Sequence, residues 1–138
     1  MIRHSFWSKI MMVRRRGYLF TSMEECTNFM FGLKAEKHKG EPFQVMNKIL
    51  PLINNPHEKV KFIHIAGSNG KGSTLNYLKE ILQHAQYKVG TFTSPHLERV
   101  NERITINGID IPDERFLSLA NQLFKIIDEL GEYYPSFF

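Results

Sequence analysis

Apolar residues recur at helical spacing in four places along the chain and run or alternate at strand spacing in three. Ser22 followed by Glu25 has the spacing of a capping box, and the run through Met30 and Phe31 predicts a short helix behind it. "GLKAEKHKGEP" then breaks the period with glycine, proline and mixed charge and reads as a loop. From Pro42, the residues Met46, Ile49, Leu50 and Ile53 form the stripe of an amphipathic helix that Pro51 should kink or end. "NNPHEK" is a polar turn.

"VKFIHIA" is a short apolar, β-branched run ending at Gly67 and predicts a buried strand. Leu75, Leu78, Leu82 and Ala85 place a helix over Ser73 to Gln86, and "KVGTFTS" predicts a second strand. Strand, glycine loop, helix and strand in this order are half of a βαβ unit. The predicted fold class is therefore α/β, of the kind that feeds a doubly wound parallel sheet. "RITINGIDI" alternates around Asn107-Gly108, which predicts a β-hairpin. From Pro112 a last helix carries Phe116, Leu119, Ala120, Leu123, Ile127 and Leu130 at helical spacing, with Gly131 placed to stop it.

Composition alters this picture mainly at the N-terminus. At 138 residues the chain is the size of one ordinary domain. The net charge is +4, but Arg3, Lys9, Arg14, Arg15 and Arg16 fall within the first 22 positions with no acid among them, so the rest sums to −1. The body of the protein therefore lacks the basic excess of a nucleic-acid surface. Residues 1–22 read as a basic leader, either an unfolded extension ahead of a start at Met23 or a mitochondrial presequence. The single cysteine, Cys26, forbids an internal disulfide and suits a reducing compartment, so the expected location is cytoplasmic, or mitochondrial if the leader is a presequence. No apolar run approaches the roughly 20 residues needed to span a bilayer.

The candidate chemistry lies in "IHIAGSNGKGSTLNYL", residues 63–78. The usual phosphate loop is spelled G-x-x-x-x-G-K-[ST]. Here Gly70 and Lys71 fit, but Ile65 stands where the first glycine belongs and Gly72 separates Lys71 from Ser73. The physical requirements are still met. Gly67, Gly70 and Gly72 free the backbone to point N–H groups inward, and Ser73-Thr74 opens a helix whose positive end faces the same spot. Lys71 adds a mobile positive charge, and a hydroxyl of Ser73 or Thr74 can ligate magnesium. The same pattern also describes a glycine-rich strand-to-helix turn that binds nothing.

"AGSNGKGST" together with "GTFTSPHLERVNERITINGIDI" resembles the folylpolyglutamate synthase and dihydrofolate synthase ligases, relatives of the Mur ligases. In that family a glycine stands between the lysine and the hydroxyl, which accounts for the departure from the common spelling. The resemblance implies ATP-dependent amide formation on a Mur-ligase-type domain. A folate carboxylate takes the γ-phosphoryl group, and the amine of glutamate attacks the acyl phosphate. It also implies that Gly67, Ser68, Asn69, Gly70, Lys71, Gly72, Ser73 and Thr74 bind ATP, with Lys71 as the catalytic cation, and that Ser73 and Ser94 serve magnesium. Thr93 to Arg103 resembles a mobile loop on the pterin side, which makes Pro95, His96 and Arg103 substrate-contact candidates. Phe31, Gly32 and Lys34 resemble a short pteroate-binding motif. The expected substrates are folate or dihydropteroate and L-glutamate, with no nucleic acid or membrane partner and a monomeric full-length form.

By this resemblance, residues 31–138 correspond to the first part of the ATP-binding domain. The chain is expected to be truncated before a metal-ligating glutamate and histidine, a modified lysine and the glutamate-binding domain, and to be inactive alone. An ATP-binding or regulatory module and a muropeptide ligase fragment stand as alternatives. The six histidines show no zinc-site spacing, Cys26 is expected to be inert, and Asp113-Glu114 reads as acid at a helix start.

Overall fold

A computed structural model describes residues 17–33 and 43–130. The chain divides into two units, Met1–Val60 with Leu117–Phe138, and Lys61–Phe116.

The first unit is helical. Helix α1, Met23–Gly32, begins on Ser22, whose hydroxyl accepts the N–H of Glu25 (3.2 Å). The Glu25 carboxylate reaches back to the N–H of Thr21 (3.1 Å) and takes the Tyr18 hydroxyl. This is the reciprocal pairing the spacing predicts, displaced one residue upstream on the carboxylate side. Helix α2, Gln44–Leu52, buries Ile49 and runs one residue past Pro51, and a 3-10 turn follows over Pro56–Lys59. Of the last helix, Asp113–Leu130, this unit holds the part from Leu117 onward, with Ala120, Phe124 and Ile127 buried.

The leader expected to be unstructured over residues 1–22 is corrected for its last part. Phe20 is only 4 % exposed, and its ring meets Phe29 at 5.5 Å and Phe124 at 5.6 Å, while Phe29 and Phe124 lie 5.4 Å apart. The Asn121 side chain holds the Phe20 backbone at both ends, accepting its N–H (2.7 Å) and donating to its carbonyl (3.0 Å). Aromatic burial and two paired polar groups outweigh the ordering cost that was expected to leave this segment loose. Residues 1–16 lie outside the described residues.

The second unit contains helix α3, Lys71–His84, and strands β1, Gly90–Phe92, β2, Ile104–Ile106, and β3, Ile109–Asp110. The sheet order is β1-β2-β3, antiparallel throughout, with Thr91 opposite Thr105 and Ile106 opposite Ile109. The Asn107-Gly108 hairpin forms as predicted. Both residues have positive φ, 51° and 77°, the pairing that a two-residue turn between right-twisted strands requires. Helix α3 starts at Lys71, two residues earlier than the pattern suggested. In numbering order, the helix Asp113–Leu130 is α4.

The α/β class stands, but two details of its sheet are corrected. Residues 61–66 form no strand, and Phe62 and Ile63, expected to be buried, are 73 % and 63 % exposed. β1, expected to lie parallel to that run, pairs antiparallel with β2 instead. A strand exists only as part of a ladder, and among the described residues none lies beside 61–66.

Removal of the Phe20 ring should cost about 3–5 kcal/mol, the usual loss for a buried phenylalanine. Urea unfolding of the full chain carrying Phe20→Ala should show this as a lower midpoint at unchanged slope. A midpoint matching the wild type would mean that the aromatic cluster does not form.

Candidate functional site

The glycine loop stands at the head of α3. Gly70 takes the left-handed conformation (φ 74°), where a side chain would be strained, and thereby turns the chain into the helix. The first helical bond is from Thr74 N–H to the Gly70 carbonyl (2.9 Å). No backbone acceptor among the described residues takes up the N–H groups of Lys71, Gly72 and Ser73. They point out of the helix end toward whatever approaches it.

Gly72 is the unusual letter in this loop, and the protein's own packing does not ask for it. A Cβ built there meets nothing within 4 Å, and the residue is helical, where glycine is the poorer choice. The Lys71 ammonium folds back over the loop, donating to the carbonyls of Gly67 (2.5 Å) and Ser68 (3.2 Å), which parks its charge at the loop mouth. The Thr74 hydroxyl donates to the Gly70 carbonyl (2.9 Å), so it works within the helix and Ser73 is the better-placed ligand hydroxyl. The residues present fit a polyphosphate. Gly67 to Thr74 form an exposed loop with orphan amides and a lysine. No cluster of three or more His, Cys, Asp or Glu that could hold a metal occurs among the described residues. Magnesium held largely by phosphate oxygens, with a serine hydroxyl in support, suits that donor set.

The second stretch, Thr93 to Arg103, lies in the same unit and is fastened at its base. Val100–Arg103 is a 3-10 turn that buries Val100, Asn101 and Arg103. The Glu102 carboxylate accepts three successive amides, those of Leu97 (2.7 Å), Glu98 (2.9 Å) and Arg99 (2.7 Å). These donors, Leu97 first, hold its carboxyl below the ordinary value of 4.5. The Arg103 Nε donates to Nδ1 of His96 (2.7 Å). Asn101, 2 % exposed, donates to the Ile111 carbonyl (2.7 Å) and to Asp113 (2.9 Å), which also pairs with Arg99. Asp113 is thus tied into the turn, as its structural reading expects. Ser94 and Pro95 are exposed and joined by a cis peptide bond.

Of the other candidates, Phe31 and Gly32 end α1 in the first unit, and Lys34 lies outside the described residues. Cys26 is fully buried against Met30, in keeping with an inert role. Sequence reasoning missed the Glu102 clamp. The available signal was a glutamate three residues after Arg99, the spacing of a capping box without its serine.

No family model matches the chain. The chain is 37 % identical over 115 residues to the dihydrofolate synthase/folylpolyglutamate synthase of Bacillus subtilis, covering 83 % of this chain and 26 % of the relative. By sequence, the chain is similar to the folylpolyglutamate and dihydrofolate synthases over 83 % of its length. The folylpolyglutamate synthase of Thermotoga maritima superposes with a TM-score of 0.72 at 33 % identity, over 83 % of this chain and 27 % of that one. A folylpolyglutamate synthase complex with AMPPCP and folate superposes with a TM-score of 0.75 at 25 % identity, over 83 % of this chain and 28 % of that one. This likeness carries the Mur-ligase-like fold, within which the described antiparallel sheet is one part. The chain spans about a quarter of the length of these synthases.

A pH titration should expose the Glu102 clamp. Its folded pKa is depressed, so its contribution is complete above the ordinary value of 4.5 and is lost as pH falls through the lower folded value. The amide proton resonances of Leu97, Glu98 and Arg99 should move together with one midpoint below 4.5 and stay constant between about pH 5 and 7. Amides that do not titrate, or that titrate above 4.5, would mean that the carboxylate is not their acceptor.

Proposed function

We propose that this chain carries the ATP-phosphate loop and part of the acid-substrate site of a ligase that adds L-glutamate to folates, to dihydropteroate, or to both. The observation that carries this reading is the head of α3, with its three unclaimed amides, the Lys71 ammonium parked beside them, and a Gly72 that internal packing does not need. Support comes from the sequence likeness to these synthases and from a superposable synthase whose structure holds AMPPCP and folate.

In this reading the amides of residues 71–73 take the terminal phosphate oxygens of ATP. Lys71 exchanges the Gly67 and Ser68 carbonyls for the γ-phosphate. Magnesium, when bound, supplies further charge neutralisation, with Ser73 and Ser94 as its hydroxyl partners. These groups let a substrate carboxylate approach a polyanion and attack the γ-phosphorus, displacing ADP to form an acyl phosphate; the amine of glutamate then attacks the acyl carbon, forming the amide and releasing phosphate and a proton. Pro95, His96 and Arg103 line the acid-substrate side. Residues 23–138 are then the first part of a Mur-ligase-type ATP-binding domain, acting in the cytoplasm or, with a functional presequence, in mitochondria.

Two substitutions separate ligand binding from folding. Lys71→Ala should weaken Mg-ATP binding by the full chain at least tenfold, because it removes a charge-assisted contact and leaves the phosphates under-neutralised. Gly72→Ala should leave the chain as stable or up to about 1 kcal/mol more so, since alanine is the better helix former and has open space there. It should nonetheless weaken Mg-ATP binding by crowding the phosphate. Calorimetric titration beside urea unfolding measures both effects. Nucleotide affinity unchanged in both variants would sink the assignment.

A further inference from the structure

Leu97 is 92 % exposed, the highest value of any large apolar residue described. A lone leucine at the surface says little by itself. This one is set apart by how its backbone is held. Its N–H donates to the Glu102 carboxylate (2.7 Å), as do those of Glu98 (2.9 Å) and Arg99 (2.7 Å), and Val100 directly beyond them is buried. On the other side, the Thr93 N–H donates to the Arg103 carbonyl (2.9 Å) and the Thr93 hydroxyl to the Glu102 carbonyl (3.4 Å). Residues 94–96 therefore arch between two feet, Thr93 and Leu97, and both feet stand on Glu102. The stretch whose resemblance implies a mobile loop is tied at its base.

The exposed part of this arch is apolar at two positions, Pro95 and Leu97, with His96 half-buried between them. The charges beside it are committed or negative. Arg99 pairs with Asp113, the Glu102 carboxylate is taken by three amides, and Glu98 adds an exposed carboxylate. Such a tip suits the uncharged end of a ligand and repels its carboxylate.

We propose that Leu97 is a specificity-determining contact which, with Pro95, receives the flat, uncharged ring end of the acid substrate, and that Glu102 is the positioning residue holding it there. This rests on the function proposed above. There the substrate carboxylate lies at the γ-phosphate beside Lys71, so the ring end is what remains for a second loop of the same unit to hold. Burial of apolar surface at Leu97 favours a ring-bearing acid over a small carboxylate.

The test is calorimetric titration of the full chain with folate and with Mg-ATP, beside urea unfolding, in the wild type, Leu97→Ala, Leu97→Met and Glu102→Gln. Leu97→Ala should weaken folate binding about tenfold. Its Mg-ATP affinity and urea midpoint should stay at wild-type values, because so exposed a side chain adds little to packing. Leu97→Met, which keeps an apolar side chain of similar volume, should restore most of the folate affinity. Glu102→Gln should weaken folate binding although Leu97 is present, and should speed hydrogen exchange at the amides of residues 97–99. Equal folate affinity in Leu97→Ala and the wild type overturns the contact and leaves the ligase reading standing. A lowered urea midpoint in Leu97→Ala also overturns it, since the side chain would then be part of the packed fold. Unchanged exchange at residues 97–99 in Glu102→Gln overturns the positioning role. A wild-type chain that binds Mg-ATP but not folate overturns the substrate assignment and this inference with it.

Discussion

Every backbone N–H in a folded chain needs an acceptor, and the structure turns on where three of them are left without one. A helix cannot bond its own first amides. Helix α3 begins abruptly on a left-handed glycine, so no preceding side chain folds over to cap it. The amides of Lys71, Gly72 and Ser73 therefore carry an unsatisfied demand for negative charge. The helix dipole adds to it, and Lys71 supplies a full charge at the same mouth. From that one constraint follow the small residues in the loop, the exposure of its backbone and the kind of ligand that fits.

The two units of the chain meet the demands of folding differently. In the first, three phenylalanine rings and a pair of asparagine hydrogen bonds bind residues far apart in sequence. In the second, the buried apolar residues are Val100, Ile111 and Phe116, while Phe62, Ile63, Tyr77, Ile81, Phe92 and Leu97 are exposed. No residue of α3 is buried, although Leu75, Leu78 and Leu82 lie half-buried along the stripe the sequence predicts. So much exposed apolar surface is unusual on the unit that carries the loops with the candidate chemistry. What holds those loops in shape is accordingly polar and local: the Gly70 turn, the Asn101 pair of bonds and the Glu102 clamp.

How much of this could be read from the chain alone depended on how far apart the partners lie. The Ser22 cap and the Asn107-Gly108 turn are set by residues within a few positions of one another and were legible, as were Phe116, Ala120 and Ile127 of the α4 stripe, whereas Leu119 is exposed and the buried Phe124 was not foreseen. The strand at 61–66 was not, because apolar β-branched residues state only a willingness to pair, and pairing is decided by a neighbour that lies elsewhere in the chain. Phe20 was misread for the same reason. Its arginine-rich surroundings suggested a loose leader, while the side chain that anchors it, Asn121, lies 101 residues further on. Within the site, the glycine loop was recognisable by composition and the His96–Arg103 pair only as members of a motif. Glu102 was hidden because a carboxylate collecting amides from a turn depends on the turn's geometry, which no spacing rule encodes without a serine or threonine at its head.

The two loops can be understood as opposite answers to one electrostatic problem. At residues 97–99 three consecutive amides converge, and the protein provides its own anion, the Glu102 carboxylate, whose proton affinity is lowered by the contact. At residues 71–73 three consecutive amides stand at a helix head, and no backbone acceptor among the described residues takes them up. The protein places a lysine beside them and keeps a glycine where a side chain would have fitted its own structure. A chain that satisfies one such cluster internally leaves the other, some 25 residues earlier, open to solvent, where an anion can approach it. Phosphate, with several oxygens on one centre, meets three amides and an ammonium at once in a way that a single carboxylate does not.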